Sequence, residues 1–346
     1  MHRSGDDRTV DRTVDRTDDL TDDLTDGRTT VGTPALSCTG LTKSFGGRVA
    51  LDKVSFAIAP GECYGLLGPN GAGKTTTISI ACGLLRPDAG VVNVCGEPIT
   101  DGRGSSMAAR GNIGYVPQDV ALYPELSAVE NLKFFGRLYG LGGRHLAARV
   151  TDAVETVGLS DRANDKVGTY SGGMKRRANI AAALLHEPRV LILDEPTVGV
   201  DPQSRHAILE MVDRRRSEGL AVLYTTHYME EAARVCQRIG IIDAGKLVVE
   251  DTPRGLTSRL GGSDRIRVTG EGDLVALASA CADLPGVGAS VVVDGGVALT
   301  ADDGRQLIPL VVSVAAKAGV SLSSAEVIEP DLEDVFLALT GKELRD

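Results

Sequence analysis

Gly68-Pro69-Asn70-Gly71-Ala72-Gly73-Lys74-Thr75 fits the pattern GxxxxGK[ST], a glycine-rich turn whose backbone N–H groups cradle a phosphate. Lys74 would supply a point charge to the phosphates, Thr75 a hydroxyl to Mg²⁺, and Thr76 follows in the same turn. In a chain with 42 glycines among 346 residues the pattern alone is a weak signal, and its flanks strengthen it. Cys63-Tyr64-Gly65-Leu66-Leu67 is an apolar run suited to a buried strand, and Thr75 to Ile80 suits a helix opening. Strand, glycine loop and helix together are what phosphate binding needs. Further along stand the paired acids Asp194-Glu195 and the lone histidine His227, with Gln118 between them and the loop. These types suit a metal carboxylate, a base for water, and polar groups that reach a γ-phosphate.

The elements that must position these groups are legible as continuous apolar runs, the pattern of parallel strands buried on both faces. Val190 to Leu193 delivers Asp194 and Glu195, Leu220 to Tyr224 delivers Thr225-Thr226-His227, and Ile113 to Pro117 delivers Gln118. Ligands of open parallel sheets bind beyond the carboxyl ends of the strands, so these residues are expected to converge with the glycine loop. A lone histidine at a strand end is more often a structural residue, and here the preceding acidic pair reverses that balance.

In this order the motifs resemble those of the ATP-binding cassette (ABC) family, over about residues 36 to 255. Tyr170-Ser171-Gly172-Gly173-Met174 is similar to the family's signature loop, usually Leu-Ser-Gly-Gly-Gln, and departs from it at Tyr170 and Met174. The resemblance implies that Ser171, Gly172 and Gly173 bind the phosphates of ATP held by a second subunit. It further implies that Phe45 stacks on adenine, that Gln118 is the sensor glutamine beside Mg²⁺, that Asp201 lies at a dimer interface and that His227 is a switch residue. Met174-Lys175-Arg176-Arg177 opens a helical stretch with three cations, which oppose the helix dipole. Such a start is expected to face an anion, with a solvated cationic turn as the alternative.

Net charge of −10 argues against a nucleic-acid partner. No apolar run reaches membrane-spanning length and no signal peptide is recognisable. Six cysteines show no CxxC spacing; several lie in apolar runs and read as small buried residues, which fits a reducing cytoplasm. Five histidines form no ligand cluster, so Mg²⁺ arriving with ATP is the expected metal.

Three regions are expected. Residues 1–34 carry Asp-Arg-Thr repeats and read as a disordered, low-complexity extension, inert in preference to tethering. Residues 35–260 form an α/β P-loop ATPase domain: a mixed-sheet core, an antiparallel β-subdomain carrying Phe45, and a helical subdomain at about 119–175. Ala50-Leu51-Asp52 is expected to brace the nucleotide. Ser127 to Glu130 is a capping box, followed by Val129, Leu132, Phe135 and Tyr139 near helical spacing. Residues 264–346 read as a small α+β accessory domain. Its strands are near 266–268, 291–293 and 297–299, with a helix over 307–316. A final helix carries the stripe Leu332, Val335, Phe336, Leu339 and stops at Gly341. From Pro330 on, this tail resembles daunorubicin-type exporter ATPases, whose permease is of the ABC-2 class.

The resemblance therefore implies an ATPase subunit that energises a separate membrane permease from the cytoplasmic face, with homodimeric closure on ATP. A DNA-repair ATPase would need a coiled coil or zinc modules between Lys74 and Ser171, and neither is there. A ribosome-acting ATPase usually carries two cassettes, and one is present.

Overall fold

The computed structural model describes residues 33–99, 107–259, 264–301, 303–328 and 331–340. The expectations for the repeats of residues 1–32, for Pro330 and for Gly341 lie outside them. Among the described residues the order opens with β1 (Leu36–Phe45), β2 (Arg48–Ile58), β3 (Cys63–Leu67), α1 (Lys74–Ala81), β4 (Ala89–Val94), β5 (Glu97–Pro98), α2 (Met107–Gly111) and β6 (Ile113–Val116). There follow α3 (Ala128–Leu138), α4 (Gly143–Thr156), α5 (Gly172–Leu184), β7 (Val190–Asp194), α6 (Pro202–Ser217), β8 (Ala221–Thr225) and α7 (Met229–Val235). The remainder is β9 (Arg238–Asp243), β10 (Lys246–Asp251), α8 (Pro253–Arg259), β11 (Asp264–Glu271), α9 (Leu274–Ala282), β12 (Val287–Val293), β13 (Gly296–Ala301), α10 (Gly304–Lys317), β14 (Ser321–Ile328) and α11 (Leu332–Thr340).

The uninterrupted apolar runs form a six-stranded sheet in the order β10-β9-β3-β8-β7-β6, parallel except for the edge strand β10. Because side chains alternate along a strand, each run feeds both faces. Leu191, Leu193, Val222, Tyr224, Ile239 and Ile241 enter one core with Ile208, Val212 and Ala232 from α6 and α7. Val190, Ile192, Ala221, Leu223, Tyr64 and Leu66 enter the other, against α1 and the sheet β2-β1-β4-β5. Each Val, Leu and Ile among them contributes about 1.5–3 kcal/mol on leaving water, which pins the register. That register pairs Val116 with Leu193, Asp194 with Thr225 and Leu66 with Thr225. Gln118, Glu195, His227 and the loop after Leu67 therefore leave the same sheet edge.

A third core joins α3, α4 and α5 and continues to Leu185, past the expected boundary at 175. The capping box at Ser127 and Glu130 forms. Tyr139, near helical spacing with Val129, Leu132 and Phe135, is the exposed C-cap of α3 and stacks on His186 with centroids 3.7 Å apart. A separate antiparallel sheet, β12-β13-β11-β14, packs α9 and α10 against its own core.

The last helix departs from expectation. Leu332, Val335 and Phe336 of α11 are buried in the core of the first sheet, beside Met229, Ala232 and Leu256, while Leu339 is 43% exposed. The stripe is thus one turn shorter than its spacing suggested, and it docks on α7 and α8. Among the described residues, no helix is long and apolar enough to cross a membrane.

Candidate functional site

The loop between β3 and α1 is shaped by backbone geometry that a side chain would obstruct. Gly73 caps α1 at φ 114°, in the left-handed region. A Cβ there would lie 2.7 Å from Leu51 Cδ2 and 2.9 Å from the Ala50 carbonyl oxygen. Ala50 and Leu51 therefore brace the loop from behind, where the sequence suggested contact with nucleotide. Asp52 is committed elsewhere: its N–H donates to the Gly245 carbonyl (2.8 Å) and its carboxylate pairs with Lys246 (3.3 Å). Gly245 in turn donates to the Ala72 carbonyl (2.9 Å). Asn70, Gly71 and Thr75 are exposed, Pro69 and Thr76 half-buried, and Gly68 and Ala72 buried. Lys74 is buried, and its Nζ donates to the carbonyl oxygens of Gly68 (2.5 Å) and Pro69 (3.3 Å). Burial holds its pKa below the usual lysine range, while the carboxylates of Glu195 and Asp194 oppose that shift.

Those two carboxylates close the opposite side. Asp194 is buried and accepts from the Thr225 hydroxyl (2.9 Å); burial pushes its pKa up, and that hydrogen bond restrains the shift. Glu195 holds φ 47°, a conformation rare for a side chain of its size. Its N–H donates to the Thr225 hydroxyl (3.1 Å) and carbonyl (3.2 Å), which anchors the turn. Glu195 Oε2 then receives Gln118 Nε2 at 3.3 Å and lies 3.6 Å from His227 Nδ1. Gln118, Asp194, Glu195 and His227 thus leave one sheet edge together, with the Lys74 ammonium within electrostatic reach of both carboxylates. Phe45 stands at the end of β1 with its ring 50% exposed and Lys43 Nζ 5.6 Å from its centroid.

Ser171, Gly172, Gly173 and Asp201 form a second group. Ser171 caps α5 by accepting from the Met174 N–H (3.2 Å), and Gly172 is exposed. A Cβ on Gly173 would fall 2.2 Å from Ser204 Oγ and 3.1 Å from Asp201 Oδ2. Asp201 caps α6 by accepting from the Ser204 N–H (2.9 Å), and that bond holds its carboxyl below the usual range. The two departures from the usual signature also have a local reason. Tyr170 is buried and donates to the Arg162 carbonyl (2.6 Å), while Met174 packs against the same helical core.

The cationic start of α5 requires a correction. Arg176 is buried and donates to the carbonyls of Pro117 (2.8 Å) and Gln118 (2.5 Å), and Arg177 donates to those of Val157 (2.9 Å) and Gly158 (3.0 Å). Two of the three cations thus satisfy internal carbonyls, which removes the need for an external anion to explain them. Sequence reasoning missed Arg176 as the support of the Gln118 loop and Thr225 as the support of Asp194 and Glu195. For Thr225 the signal was available: a hydroxyl paired in register with a functional aspartate.

The profile of the family described as ABC transporter matches residues 51–198. The linearmycin resistance ATP-binding protein LnrL of Bacillus subtilis is 44% identical over 313 residues, covering 90% of this chain and 100% of that protein. The Nod factor export ATP-binding protein I of Paraburkholderia xenovorans is 41% identical over 308 residues, covering 88% of this chain and 96% of its own. Among solved structures, an ATP-binding subunit of an ABC transporter superposes with a TM-score of 0.59 at 31% identity, over 66% of this chain and 93% of that one. A dimeric ATP-binding cassette in a post-hydrolysis state with ADP and Pi gives 0.57 at 27% identity, over 63% and 98%.

Proposed function

The chain belongs to the family of ABC transporter ATP-binding proteins and is the ATP-hydrolysing subunit of an exporter, and we propose that Glu195 is the general base of its reaction. The observation that carries this assignment is the approach of Gln118 and His227 to one oxygen of Glu195, opposite the ammonium of Lys74. In the proposed roles, Phe45 stacks on adenine, and backbone N–H groups of the loop from Asn70 to Thr76 hold the phosphates together with Lys74. Glu195 takes a proton from water as it attacks the γ-phosphorus, and the bond to the β–γ bridging oxygen breaks so that ADP leaves with the electron pair. Gln118 and His227 orient Glu195 and the γ-phosphate.

The residues present also fit Mg²⁺. Asp194, buried and already oriented by Thr225, and the Thr75 hydroxyl are hard oxygen donors, and Gln118 adds a carbonyl oxygen. When bound there, the ion supplies charge neutralisation on the phosphate oxygens.

In our reading ATP bridges two copies of this chain. Ser171, Gly172 and Gly173 of one copy would face the loop 68–75 of the other, with Asp201 at the junction. Closure would pull on a separate permease at the cytoplasmic face of the membrane, seated where the Gln118 loop meets the helical layer. The relatives named for linearmycin resistance and for Nod factor export support a drug, antibiotic or lipid-like cargo, selected by the permease. Those matches extend over about nine-tenths of the chain and favour this reading over an ATPase acting on ribosome or DNA.

The test is Glu195→Gln, which keeps the size of the side chain and removes its capacity to take a proton. Turnover should fall by about 10²–10⁴-fold with Mg-ATP binding retained, so that ATP traps a dimer visible by size-exclusion chromatography. Near-normal turnover would sink the general base. Dimers that persist when Ser171→Arg is added would sink the composite site.

A further inference from the structure

We infer that Glu231 is a positioning residue for hydrolysis, a single buried carboxylate that ties the segment following Glu195 to the segment preceding His227. Glu231 lies in α7, 4% exposed. Its Oε2 accepts three hydroxyls: Thr197 Oγ1 at 2.7 Å, Tyr224 OH at 2.8 Å and Thr226 Oγ1 at 3.2 Å. Its Oε1 is 3.3 Å from Arg205 Nε.

The placement of these partners in the chain gives the contact its meaning. Thr197 belongs to the turn that opens at Glu195, closed by Val198 N–H on the Glu195 carbonyl (3.4 Å) and Val200 N–H on the Thr197 carbonyl (3.2 Å). Thr226 immediately precedes His227, and its hydroxyl is used in both directions: it donates to Glu231 and accepts from the Tyr228 N–H (2.9 Å). Arg205 lies in α6, the helix capped by Asp201, and its guanidinium carbon is 4.3 Å from the Tyr228 ring centroid. One side chain therefore joins the Glu195 turn, the His227 turn and α6. Such convergence suits a carboxylate, which offers acceptor sites only and binds hydroxyls more tightly than a neutral amide does. Nothing in this cluster touches the reacting atoms. Its effect must pass through the relative placement of Glu195 and His227, where a displacement near 1 Å costs on the order of 10²-fold in rate.

This inference rests on the roles proposed for Glu195 and His227, and the experiment separates the two. The full chain is assayed for kcat and KM with Mg-ATP, with nucleotide affinity measured separately. Glu231→Ala should lower kcat by about 10–100-fold while KM and ATP affinity stay within about twofold. Glu231→Gln keeps an oxygen for the hydroxyls and should recover most of that loss. Thr197→Val and Tyr224→Phe each delete one hydroxyl and serve if Glu231→Ala fails to fold. Thr197→Val should slow turnover, because it frees the Glu195 turn, whereas Tyr224→Phe removes the anchor to β8, leaves both turns tied to Glu231, and should slow it less. An unchanged kcat in folded Glu231→Ala, or Tyr224→Phe slower than Thr197→Val, overturns the inference. If Glu195→Gln is inactive in that same series, the failure belongs to Glu231 alone; if Glu195→Gln turns over normally, the underlying assignment has failed.

Discussion

Arg176 holds the Gln118 loop through the backbone, its guanidinium spanning the carbonyl oxygens of Pro117 and Gln118 at 2.8 and 2.5 Å. The helix capped by Ser171 thus supports, from its second turn, the loop whose side chain reaches Glu195. Arg176→Leu leaves both carbonyls without their donor, at a cost of about 1–3 kcal/mol in stability. The ATPase rate should fall more than nucleotide affinity does, because the loop is displaced and the phosphate cradle is not. Urea denaturation with steady-state kinetics checks both, and Arg176→Lys should not restore the rate, since a point charge cannot span the two carbonyls as the planar fork does.

Gly73→Ala should abolish most ATP binding. Its φ of 114° is strained for alanine, and the added carbon would meet Leu51 and Ala50 at under 3 Å. The loop must shift by several tenths of an ångström, and titration with a fluorescent ATP analogue should show a loss of about tenfold or more. Wild-type affinity would mean that the cradle tolerates the shift.

Phe45→Ala should weaken ATP binding by about 5–150-fold, the equivalent of the roughly 1–3 kcal/mol that base stacking contributes. The ring is half exposed and lies outside the buried cores, so the melting temperature should hardly move. An unchanged Kd would remove Phe45 from the site.

Phe336→Ala should destabilise the ATPase body, although residue 336 follows the whole of the sheet β12-β13-β11-β14 in sequence. The ring is 1% exposed within the core that contains Leu193 and Tyr224. Emptying that volume costs about 3–5 kcal/mol, and the loss should appear in the unfolding transition of the ATP-binding body. A variant with wild-type stability would contradict the docking of α11.

The strands that carry Asp194, Thr225 and Gln118 were legible because double burial leaves an unmistakable apolar run. The glycine loop was legible because few residue types fit its backbone. Less was legible where a polar side chain turns inward. Glu230 and Glu231 are adjacent acids in α7, the first exposed and the second buried, and helical spacing around Met229, Ala232 and Val235 does not say which one turns in. Arg176 was misread for a related reason: a cation in a first turn opposes the helix dipole whether it faces an external anion or internal carbonyls. Leu339 shows the limit of periodicity itself, since the stripe continues by spacing after the surface it covers has ended. The hairpin β9–β10, which braces the glycine loop through Gly245, carried no chemical motif to draw attention to it.

The docking of α11 has a consequence for biogenesis. Ribosomes deliver Met229, Ala232 and Leu256 before Leu332, Val335 and Phe336, and all six belong to one core. At about 5–20 residues per second, the apolar surface on α7 and α8 waits several seconds for its cover while β11 to β14 are being made. During that interval the nascent ATPase body presents a hydrophobic face beside His227, the kind of surface chaperones bind. Assembly with a partner chain is therefore best timed after α11 has been made and has sealed that face.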